Sequence, residues 1–167
     1  SKISPMISNL SPIKIQNIEE EFKNPNQWRR LTAQRLIYEN QDRSLSPRLR
    51  KLISDKNDFA RLHALWSLNG LEVIKPEDLL MGLSDKNPKI RENVIRIAEE
   101  SGFIRNSLIQ KKLIDLADDA DPTVRFQVAL TLGKIEATPS THRALQSIYL
   151  RDHKDMWSRK AVFCSLN

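Results

Sequence analysis

Asp121-Pro122-Thr123-Val124-Arg125-Phe126-Gln127-Val128-Ala129-Leu130-Thr131-Leu132-Gly133 carries the pattern on which the whole chain is built. Val124, Val128, Ala129 and Leu132 recur at the spacing that puts side chains on one stripe of an α-helix. Asp121 stands where its carboxylate can accept from free N–H groups of the first turn. Pro122 follows where proline's missing donor costs nothing. The stretch is predicted to be an amphipathic helix.

The block recurs. Trp28-Arg29-Arg30-Leu31-Thr32-Ala33, Phe59-Ala60-Arg61-Leu62-His63-Ala64, Ile90-Arg91-Glu92-Asn93-Val94-Ile95 and Met156-Trp157-Ser158-Arg159-Lys160-Ala161 align with Val124-Arg125-Phe126-Gln127-Val128-Ala129. Their first column, Trp28, Phe59, Ile90, Val124 and Met156, is large and apolar at intervals of 31, 31, 34 and 32 residues. A second column holds Ala33, Ala64, Ile95, Ala129 and Ala161, and a third holds Leu36, Ser67, Ala98, Leu132 and Cys164. These are expected core positions, and Phe59→Ala is expected to cost about 3–5 kcal/mol from a buried site. Asn- or Asp-rich signals precede each stripe, as in Asp85-Lys86-Asn87-Pro88, and a shorter helical stretch lies upstream at 15–22, 47–53, 76–83, 108–116 and 140–150. A repeated helix pair of about 32 residues cannot bury its apolar faces alone and must stack on its neighbours. The expected fold is all-α, a right-handed superhelical solenoid of about five helix pairs. Its expected repeats span 15–42, 46–71, 76–102, 107–136 and 139–167, after an extension at 1–14.

Composition agrees. The 167 residues are 40% hydrophobic and 29% charged, with mean hydropathy −0.49, the profile of a folded, water-soluble chain. Four glycines are too few for the turns of a β-sandwich. No run approaches the roughly 18 apolar residues of a membrane span. A single cysteine, Cys164, excludes a disulfide framework, a multi-cysteine zinc site and a CxxCH haem attachment within these residues. The chain opens Ser1-Lys2-Ile3, which reads as a piece of something longer. Its net charge of +6 is concentrated at one end: residues 1–56 carry 11 Lys and Arg against 6 Asp and Glu.

Asp121-Pro122-Thr123-Val124-Arg125 with Ala129 and Leu132 resembles the HEAT repeat, as does Asn87-Pro88-Lys89-Ile90-Arg91 with Ile95 and Ala98. More narrowly, 28–36, 60–71 and 121–133 resemble the HEAT region of large exported haem-binding dehydrogenases of planctomycetes and related bacteria. In that family the region joins a propeller to a cytochrome c domain. The resemblance implies a linking module, with an exported, periplasmic location, that contacts partner proteins or neighbouring domains of its own polypeptide. The propeller and CxxCH are missing from these residues, so no dehydrogenase or haem function is assigned to them.

Candidate chemistry is sparse. His63 lies on the helical stripe and is expected to pack there; His142 and His153 have no second ligand at a metal-like interval. Cys164 is expected to be a buried thiol. The four glycines form no phosphate loop and mostly follow helices, where a left-handed cap suits them. No catalytic residue, metal or cofactor is expected. Arg29, Arg91 and Arg125 share a column, with Arg30 and Arg61 one residue later. With Asp119 and Asp121 they are expected to form ladders between repeats, the planar guanidinium suiting multidentate bonding; ligand binding is the alternative. Arg29, Arg30, Arg35, Arg43, Arg48, Arg50 and Lys51 form a basic segment that offers a second function, contact with nucleic-acid phosphates. Tyr38 is the nearest aromatic to stack beside it.

Overall fold

The computed structural model describes residues 15–166, and the extension expected at 1–14 lies outside them. Ten α-helices follow one another as antiparallel pairs, with no strand among the described residues. The first pair is α1 (Ile18–Lys23) and α2 (Gln27–Asn40), the second α3 (Ser46–Leu52) and α4 (Asp58–Gly70), the third α5 (Pro76–Leu83) and α6 (Pro88–Glu100). The fourth is α7 (Ser107–Asp115) and α8 (Pro122–Leu132), and the fifth is α9 (Pro139–Asp152) and α10 (Met156–Ser165).

Nearly every helix starts where short-range chemistry tells it to. The side chains of Asn26, Asn57, Asn87, Asp121 and Asp155 cap the second helices α2, α4, α6, α8 and α10 by accepting first-turn N–H groups. Asn106 and Thr138 do the same for α7 and α9. Pro76, Pro88, Pro122 and Pro139 occupy the first turn of their helices, where no N–H is needed. The second helices pack in series, α2 on α4, α4 on α6, α6 on α8 and α8 on α10, while α5, α7 and α9 form a parallel layer. Between the layers runs one continuous core that includes Phe22, Leu49, Leu65, Leu79, Ile95, Leu113, Val128 and Ile148. No described helix is long and apolar enough to cross a membrane.

The caps correct the register read from hydrophobicity. Ile90 and Val124 are buried, as are Ala33, Ala64 and Ala129, but Trp28 is 54% exposed, Phe59 44% and Met156 46%. Ile90 and Val124 stand three residues after their caps, whereas Trp28 and Phe59 stand two after and Met156 one after. One residue is a rotation of about 100° around a helix. In α4 and α10 the core position of this column is filled by Ala60 and Ser158. The apolar alignment slips by one residue in α2 and α4 and by two in α10. The same slip explains Cys164, which is exposed rather than buried: it stands nine residues after its cap, like Arg35, Trp66, Arg96 and Leu130. Of the glycines only Gly102 takes a left-handed conformation, at φ 75°. Gly82 lies inside α5 and Gly133 has φ −69°; a Cβ at either position would come within 3 Å of a neighbouring helix.

Candidate functional site

Counting four residues on from each cap brings Arg30, Arg61, Arg91, Arg125 and Arg159 into one column, and three of them make nearly the same set of bonds. Arg61 donates through Nε and Nη2 to Asp85 at 2.6 and 2.9 Å, and through Nη1 to the carbonyls of Asp55 and Lys56 at 2.8 and 3.2 Å. Arg91 donates to Asp119 at 2.7 and 2.6 Å and to the carbonyls of Asp85 and Lys86. Arg125 reaches Asp152 at 2.7 Å and the carbonyls of Asp119 and Ala120. Each guanidinium thus closes the turn before its own helix and grips the aspartate of the next pair. Hydrogen bonds donated to Asp85 and Asp152 hold Arg61 and Arg125 above the ordinary arginine range.

Arg91, Arg125 and Asp119 therefore sit in an inter-repeat ladder, and Asp85 and Asp152 complete it. Their role was hidden because both lie in stretches that also read as helix-start signals. Arg29 is not a rung; it pairs with Glu21 across the first helix pair. Asp121 is the cap of α8, its carboxyl held below the usual range by the Thr123 hydroxyl and the Thr123 and Val124 N–H groups. Arg30 also departs: Nη1 donates to the carbonyls of Asn24 and Pro25, Nε to His63 Nε2 at 3.3 Å, and the guanidinium lies 3.8 Å over the Phe59 ring. Asp55, the acid it would otherwise meet, is held by Lys23 at 2.6 Å. His63 packs as expected, with Nδ1 2.6 Å from Gln34 Oε1. Burial, then the charge of Arg30, lowers its pKa from 6.5 to about 4.

Most of the basic segment is paired with carboxylates. Arg29 pairs with Glu21, Arg35 with Glu39 at 3.6 Å, Arg43 with Glu72 at 3.2 Å, Arg48 with Glu19 at 2.9 Å and Arg50 with Asp78 at 3.2 Å. Arg30 is buried, and Lys51 stands exposed on α3. Five of the seven cations of the segment thus each have a carboxylate partner.

Several large apolar side chains stand exposed along the second helices. Trp28, Leu31, Arg35 and Tyr38 form a stripe on α2, and Phe59, Leu62 and Trp66 form the matching stripe on α4. Toward the ends of α2, α4 and α6 the surface opens into a depression of about 790 Å³ lined by Leu31, Tyr38, Trp66, Ser67, Glu100 and Phe103 among others. The Tyr38 ring lies against Gly70, where a Cβ would stand 3.1 Å from the ring. Trp66 is half-buried and donates its indole N–H to Asn93 at 3.1 Å. A second depression, of about 460 Å³, lies farther along between Arg96, Phe126 and Trp157. Among the described residues no three His, Cys, Asp or Glu side chains are grouped to hold a metal ion.

The family model for HEAT repeats matches residues 76–164, which spans α5 to α10. No curated protein matches the chain. Cap, stripe, a turn-closing arginine and the helix pair recur in the same order through α1 to α4, so the architecture extends over the described residues. With its family model matched over more than half its length and stacked helix pairs throughout, the chain belongs to the HEAT-repeat family.

Proposed function

We propose that this protein is a non-catalytic interaction module that holds a partner protein, or a neighbouring domain, along the outer stripe of its second helices. HEAT repeats generally serve as protein-interaction scaffolds. The observation that carries the reading here is the row of Trp28, Leu31, Tyr38 and Phe59, all large, apolar and exposed on adjoining helices. Contiguous exposed apolar surface of this kind marks interaction sites, since water penalises it unless something covers it. The five units of this scaffold are taken as 15–42, 46–71, 76–102, 107–136 and 139–167. A photo-reactive benzoylphenylalanine at Leu31 should give adducts of defined mass in the native host, and the same group at Lys51, on the other layer, should not. Equal labelling from both positions, or none from Leu31, overturns the reading.

The narrower assignment, a linking module of an exported haem-binding dehydrogenase, rests on the resemblance of 28–36, 60–71 and 121–133. Coding sequence for a propeller before these residues and CxxCH after them would support it; other flanking domains would overturn it. Phosphate binding by the basic segment is the weaker reading, because its arginines are engaged internally. No affinity for duplex DNA is expected at about 50 mM salt, where backbone contacts are strongest.

A further inference from the structure

Ser67 is 3% exposed, lines the groove between Tyr38 and Trp66, and its hydroxyl has no hydrogen-bond partner among the described residues. Ten residues after its cap, it has two hydroxyl counterparts in later second helices, and both are satisfied. Thr131 donates to the Gln127 carbonyl at 2.9 Å, and Ser165 to the Ala129 carbonyl at 2.8 Å. A buried hydroxyl left unmet is costly, and proteins rarely keep one without a use.

The electrostatics of the groove that Ser67 lines say what would occupy it. The depression lies across the C-terminal ends of α2, α4 and α6, with Tyr38, Gly70 and Glu100 each in a last turn. A helix C-terminus carries partial negative charge that lysine or arginine in the last turn ordinarily offsets. None of these three helices has a basic residue there. Glu100 adds a full negative charge, and its carboxylate accepts from the Asn69 side chain at 3.0 Å with no cation in salt-bridge reach among the described residues. Arg35, the one cation lining the groove, is paired with Glu39. The walls are the rings of Tyr38, Trp66 and Phe103. Negative charge and aromatic faces around one depression are what a cation on an aliphatic stem requires.

We propose that this groove receives a lysine or arginine side chain on a segment of a partner protein, its stem against Tyr38 and Trp66 and its charged head toward Glu100. The proposal rests on the reading of this face as a docking surface and adds the chemistry of the occupant. A nucleic acid is disfavoured by the same charges.

The probe is a fluorescein-labelled peptide of alternating glycine and lysine, compared with its glycine–glutamate counterpart by anisotropy on the full chain at about 50 mM salt, where screening is weak. The lysine peptide should bind and the glutamate peptide should not. Glu100→Gln and Tyr38→Ala should each weaken binding by about fivefold. Equal binding of both peptides, or unchanged affinity in Glu100→Gln, overturns the proposal. The lysine peptide should also compete with the adduct formed from position 31. An adduct that forms there and resists the peptide overturns the basic occupant and leaves the docking surface standing, whereas no adduct at all removes the docking surface itself.

Discussion

His63 is held neutral by the groups that meet its two ring nitrogens. Arg30 donates to Nε2, so that nitrogen carries a lone pair, and Nδ1 is left to donate to Gln34. A proton on Nε2 would face a guanidinium inside the core, which is why burial and Arg30 bring the pKa from 6.5 to about 4. Above pH 6.5 the ring is neutral in the folded and the unfolded chain alike. As the pH falls from 6.5 toward 4 the unfolded chain takes up a proton that the folded chain refuses, so stability drains across that window, by about 3 kcal/mol in all. His63→Gln should remove this slope, read as the difference between the two melting curves against pH; parallel curves would contradict it. The register correction makes a second demand at this scale. Phe59 is half in water beneath Arg30, so Phe59→Ala should cost about 1 kcal/mol in urea denaturation, against about 3 kcal/mol for the fully buried Ile90→Ala. Equal costs would restore the apolar column.

Between elements, closeness is set by small residues. Gly82 on α5 faces α4 and α6, and a Cβ there would meet Val94 at 2.6 Å and Leu65 at 3.2 Å. Val94 is β-branched and buried, with little room to swing aside. Gly82→Ala, which on an open helix would stabilise, should instead lower stability by about 1–3 kcal/mol, and a rise in melting temperature would show that α5 sits farther off. This contact was not legible in the sequence, because a glycine that permits close approach looks the same as one that ends a helix. The helices themselves were legible, since Asn87-Pro88 and Asp121-Pro122 state a cap and a first turn within two residues. The ladder was half legible: the arginines showed as a column, but the slip at Trp28 and Phe59 put Arg29 where Arg30 belongs. The groove was least legible. Ser67 read as a small core residue, and only the three-dimensional meeting of α2, α4 and α6 shows that its hydroxyl is unmet and its surroundings negative.

Across the whole molecule, stability is a chain of neighbour contacts. α4, α6 and α8 are each covered by a second helix on either side, whereas α10 packs on α8 and α9 and leaves Trp157, Phe163 and Leu166 exposed. In such an array the free energy of opening is a sum over units and their interfaces, so units with one interface open first. Amide exchange should therefore be slowest in α4, α6 and α8 and faster in α10. The rung between the last two pairs offers a sharper test, because Arg125 is gripped by Asp152 with both side chains largely buried. Arg125→Met leaves that carboxylate without its guanidinium, a loss of about 3 kcal/mol for a buried pair. Exchange in α9 and α10 should accelerate by about a hundredfold while α4 keeps its protection. If protection instead fell by the same factor from α2 to α10, the helix pairs would be opening as one unit, and the groove at α2, α4 and α6 would depend on a rung it does not touch.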